Sequence, residues 1–322
     1  MIAASWKNTT NSSYQAHWKR WVSFAEDHGL HYDNPSETEL ANYFAHMSDA
    51  VSATTVSNAR SAIGQTLEIM RGKGALGPLT DRIITGARKQ KPPQPRYDSI
   101  WNYDDVLEHI KGWGATADLD FGKLTNKLIV LLTFEFYARP SDLAKIVFSS
   151  VKDKGGHFTL QLAGPKELKG SKLSAPIIIK ALSTNTLVCP VMCLRSYIDQ
   201  SRARRSQETS DRLLLSQKKS TTEDGKSFYD ALGSQRISNL MKLVLQGAGI
   251  DTTVWKGGSG RAAAASTSKE QGVSIEEILA RGRWAQESTF RRFYDKGTVL
   301  QTSNPKSSED STEGELNLSS KD

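Results

Sequence analysis

The last tyrosine of the chain stands alone: Tyr294 closes the segment Gly282-Arg-Trp-Ala-Gln-Glu-Ser-Thr-Phe-Arg-Arg-Phe-Tyr-Asp-Lys296, and the other eight tyrosines lie at or before position 229. Three cation-bearing segments precede it. They are Phe136-Tyr-Ala-Arg-Pro-Ser-Asp-Leu143, Gly164-Pro-Lys-Glu-Leu-Lys169 and Gly257-Gly-Ser-Gly-Arg-Ala-Ala-Ala-Ala-Ser266. Arginine carries a planar fork of donors that stays charged, which suits oxygen-rich anions such as a phosphodiester. Other chemistries lack their signatures: no phosphate-cradling Gly-x-x-x-x-Gly-Lys loop, no His-Glu-x-x-His and no Gly-x-Ser-x-Gly is present. Cys189 and Cys193 have only Pro, Val and Met between them and no His or carboxylate beside them, so they read as buried thiols and not as a metal or redox pair.

These residues need a scaffold, and 322 residues suggest two domains. Net charge is +7, too small by itself to indicate nucleic acid, but it is unevenly placed. Residues 301–322 hold 2 basic and 5 acidic side chains, leaving 40 basic and 30 acidic in residues 1–300. That acidic, serine-rich segment is expected to be disordered. The run Arg88-Lys-Gln-Lys-Pro-Pro-Gln-Pro-Arg96 reads as an extended basic hinge, either a plain surface loop or a phosphate contact.

Ahead of the hinge, Tyr14, Trp18, Trp21 and Ala25 recur at helical spacing, as do Leu40, Tyr43, Phe44 and Met47 behind a Ser36/Glu39 capping box. A third helix is expected over 54–70, with Val56, Ile63, Leu67 and Met70 on its apolar side. Beyond the hinge, helices are expected over 103–111 and 124–136, strands over 146–151, 157–163 and 175–179, and then helices over 191–200, 234–247, 261–271, 275–280 and 288–294. The fold class is therefore mainly α with a small antiparallel β-sheet (α+β). No apolar run approaches a membrane span, and residues 1–14 lack the pattern of a signal peptide, so an intracellular protein with no membrane partner is expected.

In their order and separation, the four segments resemble the signature boxes of the tyrosine recombinase (phage integrase) family, over roughly residues 10–298. Leu187-Val-Cys-Pro-Val-Met-Cys-Leu-Arg-Ser-Tyr197 is similar to the family's segment after the sheet. Gly272-Val-Ser-Ile-Glu-Glu-Ile-Leu279 with Trp284 and Ser288-Thr-Phe-Arg-Arg-Phe-Tyr294 looks most like recombinases of eukaryotic DIRS-like and Crypton mobile elements. The resemblance implies a helical, SAM-like core-binding domain (1–87), a basic Pro-rich linker (88–100), a catalytic domain (101–298) and a disordered acidic tail (299–322). It also implies double-stranded DNA as partner, a homo-tetramer on paired DNA sites clamped in a C shape, no cofactor or metal, and a nuclear location if the source is eukaryotic.

By the same resemblance, Arg139 and Arg261 clamp the scissile phosphate, whose transition state gains negative charge that a metal-free site must meet with cations. Tyr294 is the nucleophile that forms a 3′-phosphotyrosyl bond. Lys166 is the general acid for the departing 5′ oxygen, with Lys169 and Lys172 as alternates in the same loop and solvated charge as the plainer reading. Asp142 would orient Arg139, or serve only as a capping acid. Trp284 fills a position where the family has His or Trp; its indole N–H would donate to the phosphate, or its ring would simply pack in the core. Arg88, Lys89, Lys91 and Arg96 of the hinge, with Lys169 and Lys172, are the expected DNA-backbone contacts.

Two positions depart from the family. Trp284 and Tyr294 are ten apart where many members have nine, a spacing that the eukaryotic-element pattern accommodates. More consequentially, Gly258 stands where a histidine is expected three residues before Arg261, and all six histidines lie far upstream, at or before His157. The glycines of that run are expected to loosen the backbone before Arg261. The rival reading is thus a recombinase-derived DNA-binding protein with weakened catalysis. A type IB topoisomerase shares the Arg/Lys/Tyr logic but fits the last motif less well.

Overall fold

The structure is a computed structural model that describes residues 8–72, 74–92, 94, 96–164, 173–182 and 184–299. The chain divides into two compact units, Met1–Pro95 and Arg96–Asp322.

The first unit is built of α1 (Asn8–Asp27), α2 (Glu37–Ala50), α3 (Ala53–Arg71) and α4 (Pro78–Gln90). Ser36 and Ser52 cap α2 and α3 through side chains that accept from Glu39 N and Thr55 N, and Gly72 ends α3 in the left-handed region at φ 70°. Glu37 accepts from Leu79 N and Thr80 N at 2.7 and 3.0 Å, so the first turn of α2 supplies the cap that α4 lacks in its own Gly77. Trp21, Leu40, Phe44, Ile63, Leu67 and Ile84 form the core. Met70, expected on the apolar side of α3, is instead 52% exposed at the helix end.

α4 corrects the reading of the hinge. Arg88 and Lys89 form its last turn, where cations complement the helix dipole, and the chain leaves the helix only at Lys91, before Pro92.

The second unit begins with β1 (Ser99–Trp101), α5 (Tyr103–Lys111), α6 (Phe121–Phe136) and α7 (Pro140–Leu143). It continues through β2 (Lys152–Asp153), β3 (His157–Leu160), β4 (Ile177–Lys180), α8 (Pro190–Arg202), β5 (Leu215–Thr221) and β6 (Ser227–Ala231). It ends with α9 (Ser234–Gly247), α10 (Gly260–Glu270), α11 (Ile275–Gly282), α12 (Glu287–Phe293) and β7 (Gly297–Val299). β2, β3 and β4 form an antiparallel sheet, β5 and β6 an antiparallel hairpin, and β1 and β7 a parallel pair. The fold is mainly helical with small antiparallel sheets, as expected.

Three local expectations change. Residues 146–151 are not a strand: Ile146 and Val147 make isolated bridges, and Phe148–Ser150 turns as a 3₁₀ helix whose Ser150 hydroxyl donates to Val147 O at 2.6 Å. The stretch after α8 is not helical throughout, since β5 and β6 interrupt it. The chain also returns as β7 to pair with β1, directly after Tyr294 and Asp295.

α6 and α10 form the centre of this unit. Eleven of the sixteen residues of α6 are buried, and every residue of α10 from Gly260 to Ser268 is buried. The Ala262–Ala265 run is what lets a helix be surrounded on all sides: methyl groups allow neighbouring helices to approach closely. Cys189 and Cys193 are buried free thiols, and burial pushes Cys193 up to about 12, so it stays a thiol at neutral pH. No helix among the described residues is long and apolar enough to cross a membrane.

Candidate active site

Arg261 emerges from the first turn of α10 into a cage. Its Nη1 donates to Tyr137 O at 2.5 Å and its Nη2 to Gly282 O at 2.6 Å, while the Trp284 and Tyr294 rings lie 4.0 and 5.2 Å from its guanidinium carbon. Only 2% of the side chain is exposed. Burial first, then the neighbouring Arg139, pull its pKa down to about 10, so it is charged at neutral pH in a setting that disfavours charge. An incoming anion would relieve that penalty.

The two carbonyls that hold Arg261 belong to bends at the ends of neighbouring helices. Tyr137 follows α6 at φ 46° and Arg283 follows Gly282 of α11 at φ 56°; they are the two non-glycine residues with positive φ among the described residues. Such backbone costs roughly 1–3 kcal/mol at each position and persists where surrounding structure enforces it. Both strained residues flank the Arg261 cage.

Asp142 joins the cage from below. It is 2% exposed, its Oδ2 accepts from Arg139 N at 3.0 Å, and the same oxygen lies 3.2 Å from Arg283 Nη2, 3.5 Å from Arg139 Nη1 and 4.0 Å from Arg261 Nη1. One carboxylate thus faces three guanidinium groups, and these four side chains keep a surplus of positive charge. Buried donors accompany them: Arg261 Nε, Arg283 Nε and Nη1, and Trp284 Nε1 have no hydrogen-bond partner among the described residues. A cluster rich in donors and poor in acceptors is matched to an anion with several oxygens.

Tyr294 caps the C-terminal end of α12, with its N–H donating to Phe290 O at 2.8 Å, and its ring packs 5.0 Å from Trp284. Phe290 beneath is fully buried, whereas Phe293 is 48% exposed. α10 grips the chain just past the tyrosine. Ser266 Oγ donates to Tyr294 O at 2.7 Å and accepts from Lys296 N at 3.1 Å, Lys269 pairs with Asp295 at 2.7 Å, and Glu270 accepts from Thr298 N at 3.0 Å. One face of the helix that carries Arg261 therefore also sets the position of Tyr294.

The glycine run before Arg261 is not loose. Gly257–Ser259 forms a 3₁₀ turn in which a Cβ at Gly257 would run into the Ser238 carbonyl of α9, and one at Gly260 would press on Thr133 at 3.2 Å. These glycines serve close approach. Gly258 differs: it is exposed, and nothing lies within 4 Å of a Cβ added there.

Gly282 also serves close approach, since an added Cβ would overlap the six-membered ring of Trp284. Gly282→Ala should destabilise the protein by about 2 kcal/mol, the usual scale of overpacking, and displace the indole from Arg261. Urea unfolding and the shift of tryptophan fluorescence measure both effects.

Of the residues singled out in the sequence, Arg139, Asp142, Arg261, Trp284 and Tyr294 come together here, with Gly258 at the N-terminal approach to α10. Lys166, Lys169 and Lys172 lie outside the described residues, as does the segment 300–322. Among the hinge cations, Arg88 donates to Ser57 Oγ at 3.0 Å, and Lys91 Nζ donates to the carbonyls of Ser48 and Asp49 at 2.7 and 2.9 Å, across the end of α2. Lys89 is exposed, and Arg96 lies over Tyr97. Arg283, Gly282 and Ser266 were not singled out; only the Gly-Arg-Trp adjacency hinted at the first two.

No protein-family model matches the chain, and no curated protein sequence matches it. Its likeness is to solved structures, and it defines a fold: that of the tyrosine recombinases. The XerH site-specific recombinase bound to palindromic difH substrate, in a post-cleavage complex, superposes with a TM-score of 0.57 at 15% identity, over 80% of this chain and 68% of that one. A lambda integrase dimer bound to a COC′ core site gives 0.54 at 15% identity over 94% of each chain. The Tn1549 transposon integrase in complex with transposon right end DNA gives 0.54 at 10% identity, over 88% of this chain and 89% of that one.

Proposed function

We propose that the protein is a site-specific DNA recombinase or integrase that cuts and rejoins DNA strands through Tyr294. The observation that carries this reading is the meeting of three arginines on one buried carboxylate, with unpartnered donors around them and the lone late tyrosine packed against Arg261 and Trp284. In this reading Arg139 and Arg261 hold the non-bridging oxygens of a scissile phosphate and stabilise the charge that grows on them. The Tyr294 oxygen attacks phosphorus and gives up its proton to solvent water. The bond to the 5′ oxygen breaks, that oxygen takes a proton from Lys166, and a 3′-phosphotyrosyl ester conserves the bond energy until a 5′ hydroxyl reverses the step. No cofactor is needed.

Both units would contribute phosphate contacts, with Lys89 and Arg96 the more available of the hinge cations. Double-stranded DNA as substrate, assembly as a tetramer on paired sites and kinship with the recombinases of DIRS-like and Crypton elements belong to this proposal. The last rests on the Trp284-to-Tyr294 spacing and the Phe293-Tyr294 ending. The test is a nicked duplex, selected from a randomised pool by binding to the protein, in which cleavage releases a short strand and traps the covalent adduct. An adduct stable to denaturant supports the enzyme, and retained binding without any adduct supports the alternative of a DNA-binding protein with lost turnover.

Gly258 favours that alternative, because a histidine there would have supplied a donor and proton partner. The open space above it makes the repair feasible. Gly258→His should raise the rate of adduct formation by about a hundredfold, the lower end of what general acid–base groups contribute, and single-turnover rates on the same duplex decide it. An unchanged rate would mean that another group already does that work.

A further inference from the structure

We propose that Arg283 is a positioning residue of this phosphate site: it takes the largest share of the charge of Asp142 and thereby keeps that carboxylate from competing with the phosphate for Arg139 and Arg261. The inference rests on the function proposed above and concerns a residue of the last box to which the resemblance assigns no role.

The geometry ranks the guanidinium partners of Asp142. Arg283 Nη2 is nearest to Oδ2 at 3.2 Å, Arg139 Nη1 follows at 3.5 Å, and Arg261 Nη1 is last at 4.0 Å. Coulomb attraction falls with distance, and a single carboxylate cannot neutralise three guanidinium groups, so the closest cation takes the largest share. Arg261 is held chiefly by the carbonyls of Tyr137 and Gly282, not by Asp142.

Arg283 is also fixed in place. Its guanidinium lies 5.5 Å over the Phe136 ring, its Nε and Nη1 are buried, and its backbone is kept in the left-handed region where glycine would be at ease. A position that favours glycine yet carries arginine points to a use for the side chain. Without Arg283, Asp142 would turn its full charge on the two clamp arginines and repel the phosphate they are meant to hold.

The readout is the first-order rate of adduct formation on the nicked duplex at saturating DNA, with DNA affinity followed by fluorescence anisotropy. Arg283→Gly, which suits the backbone, should be roughly 10- to 100-fold slower at little cost in affinity, the range seen when a group that orients a functional side chain is lost. Adding Asp142→Asn to Arg283→Gly should restore about tenfold of that loss, because the unbalanced carboxylate is then gone. A merely structural arginine would show no such rescue. If Arg283→Gly fails to fold, Arg283→Lys and Arg283→Met replace it, with lysine expected to be the faster by about tenfold.

The inference is overturned if removing the Arg283 charge leaves the rate unchanged, or if Asp142→Asn gives no recovery. Should the wild-type protein form no adduct, titration with inorganic phosphate, read by ³¹P NMR line broadening, separates the two ideas. Weaker phosphate binding by Arg283→Met than by wild type keeps this inference while the strand-cutting reading falls. Equal binding overturns the inference.

Discussion

Arg261→Ala is expected to cost the protein both stability and reaction. The guanidinium holds two helix-end carbonyls, those of Tyr137 and Gly282, and fills the space under Trp284. Removing it leaves those acceptors buried and takes one cation from Asp142, a loss on the scale of about 3–5 kcal/mol for breaking a buried charged network. On the proposed mechanism it also removes a preorganised donor from the transition state, worth roughly 10²–10³ in rate. Arg261→Lys separates the two roles. The ammonium keeps the charge but has no fork to bridge carbonyls that lie on either side of it, so the variant should fold, melt lower and still react slowly. Urea unfolding and adduct rates taken below the melting temperature measure both. A variant as stable as wild type would show that the cage around Arg261 is not what holds α6 and α11 to α10.

Tyr294→Phe should have the opposite profile. The phenyl ring retains the packing on Trp284 and the distance to Arg261, so stability should change by no more than about 1 kcal/mol, as for a substitution that opens no cavity. DNA affinity should also persist, because the cations are untouched. Adduct formation should vanish altogether, since no other tyrosine follows position 229. Loss of DNA binding in this variant would instead give the hydroxyl a binding role that the account does not include.

Much of this architecture was legible because its signals are local. The Ser36/Glu39 capping box, the apolar spacing of Trp21 and Ala25 and the buried run of α6 each report their own helix. The β5–β6 hairpin escaped because its strands carry Lys218, Lys219 and a row of hydroxyls, so no apolar alternation marks them. α4 escaped for a different reason. Its first turn is capped by Glu37, some 40 residues earlier, and its basic end merges with the prolines that follow. At the site, the sequence supplied Arg139, Asp142, Arg261, Trp284 and Tyr294 as types at a spacing. It could not supply Arg283, whose contact with Asp142 spans 141 residues and depends on a left-handed bend that arginine seldom adopts. The glycine run misled in the same way, since Gly257 looks like freedom in a sequence and is a close contact with α9 in the fold.

The most direct measurement is to locate the covalent bond itself. After reaction with the nicked duplex, digestion with nuclease and trypsin should yield the peptide Phe293-Tyr-Asp-Lys296 carrying a nucleotide remnant, and fragmentation in the mass spectrometer should place the added mass on Tyr294. A modified peptide at that position is what the account predicts. An adduct carried by any other residue, or none from protein that demonstrably binds the duplex, would contradict it.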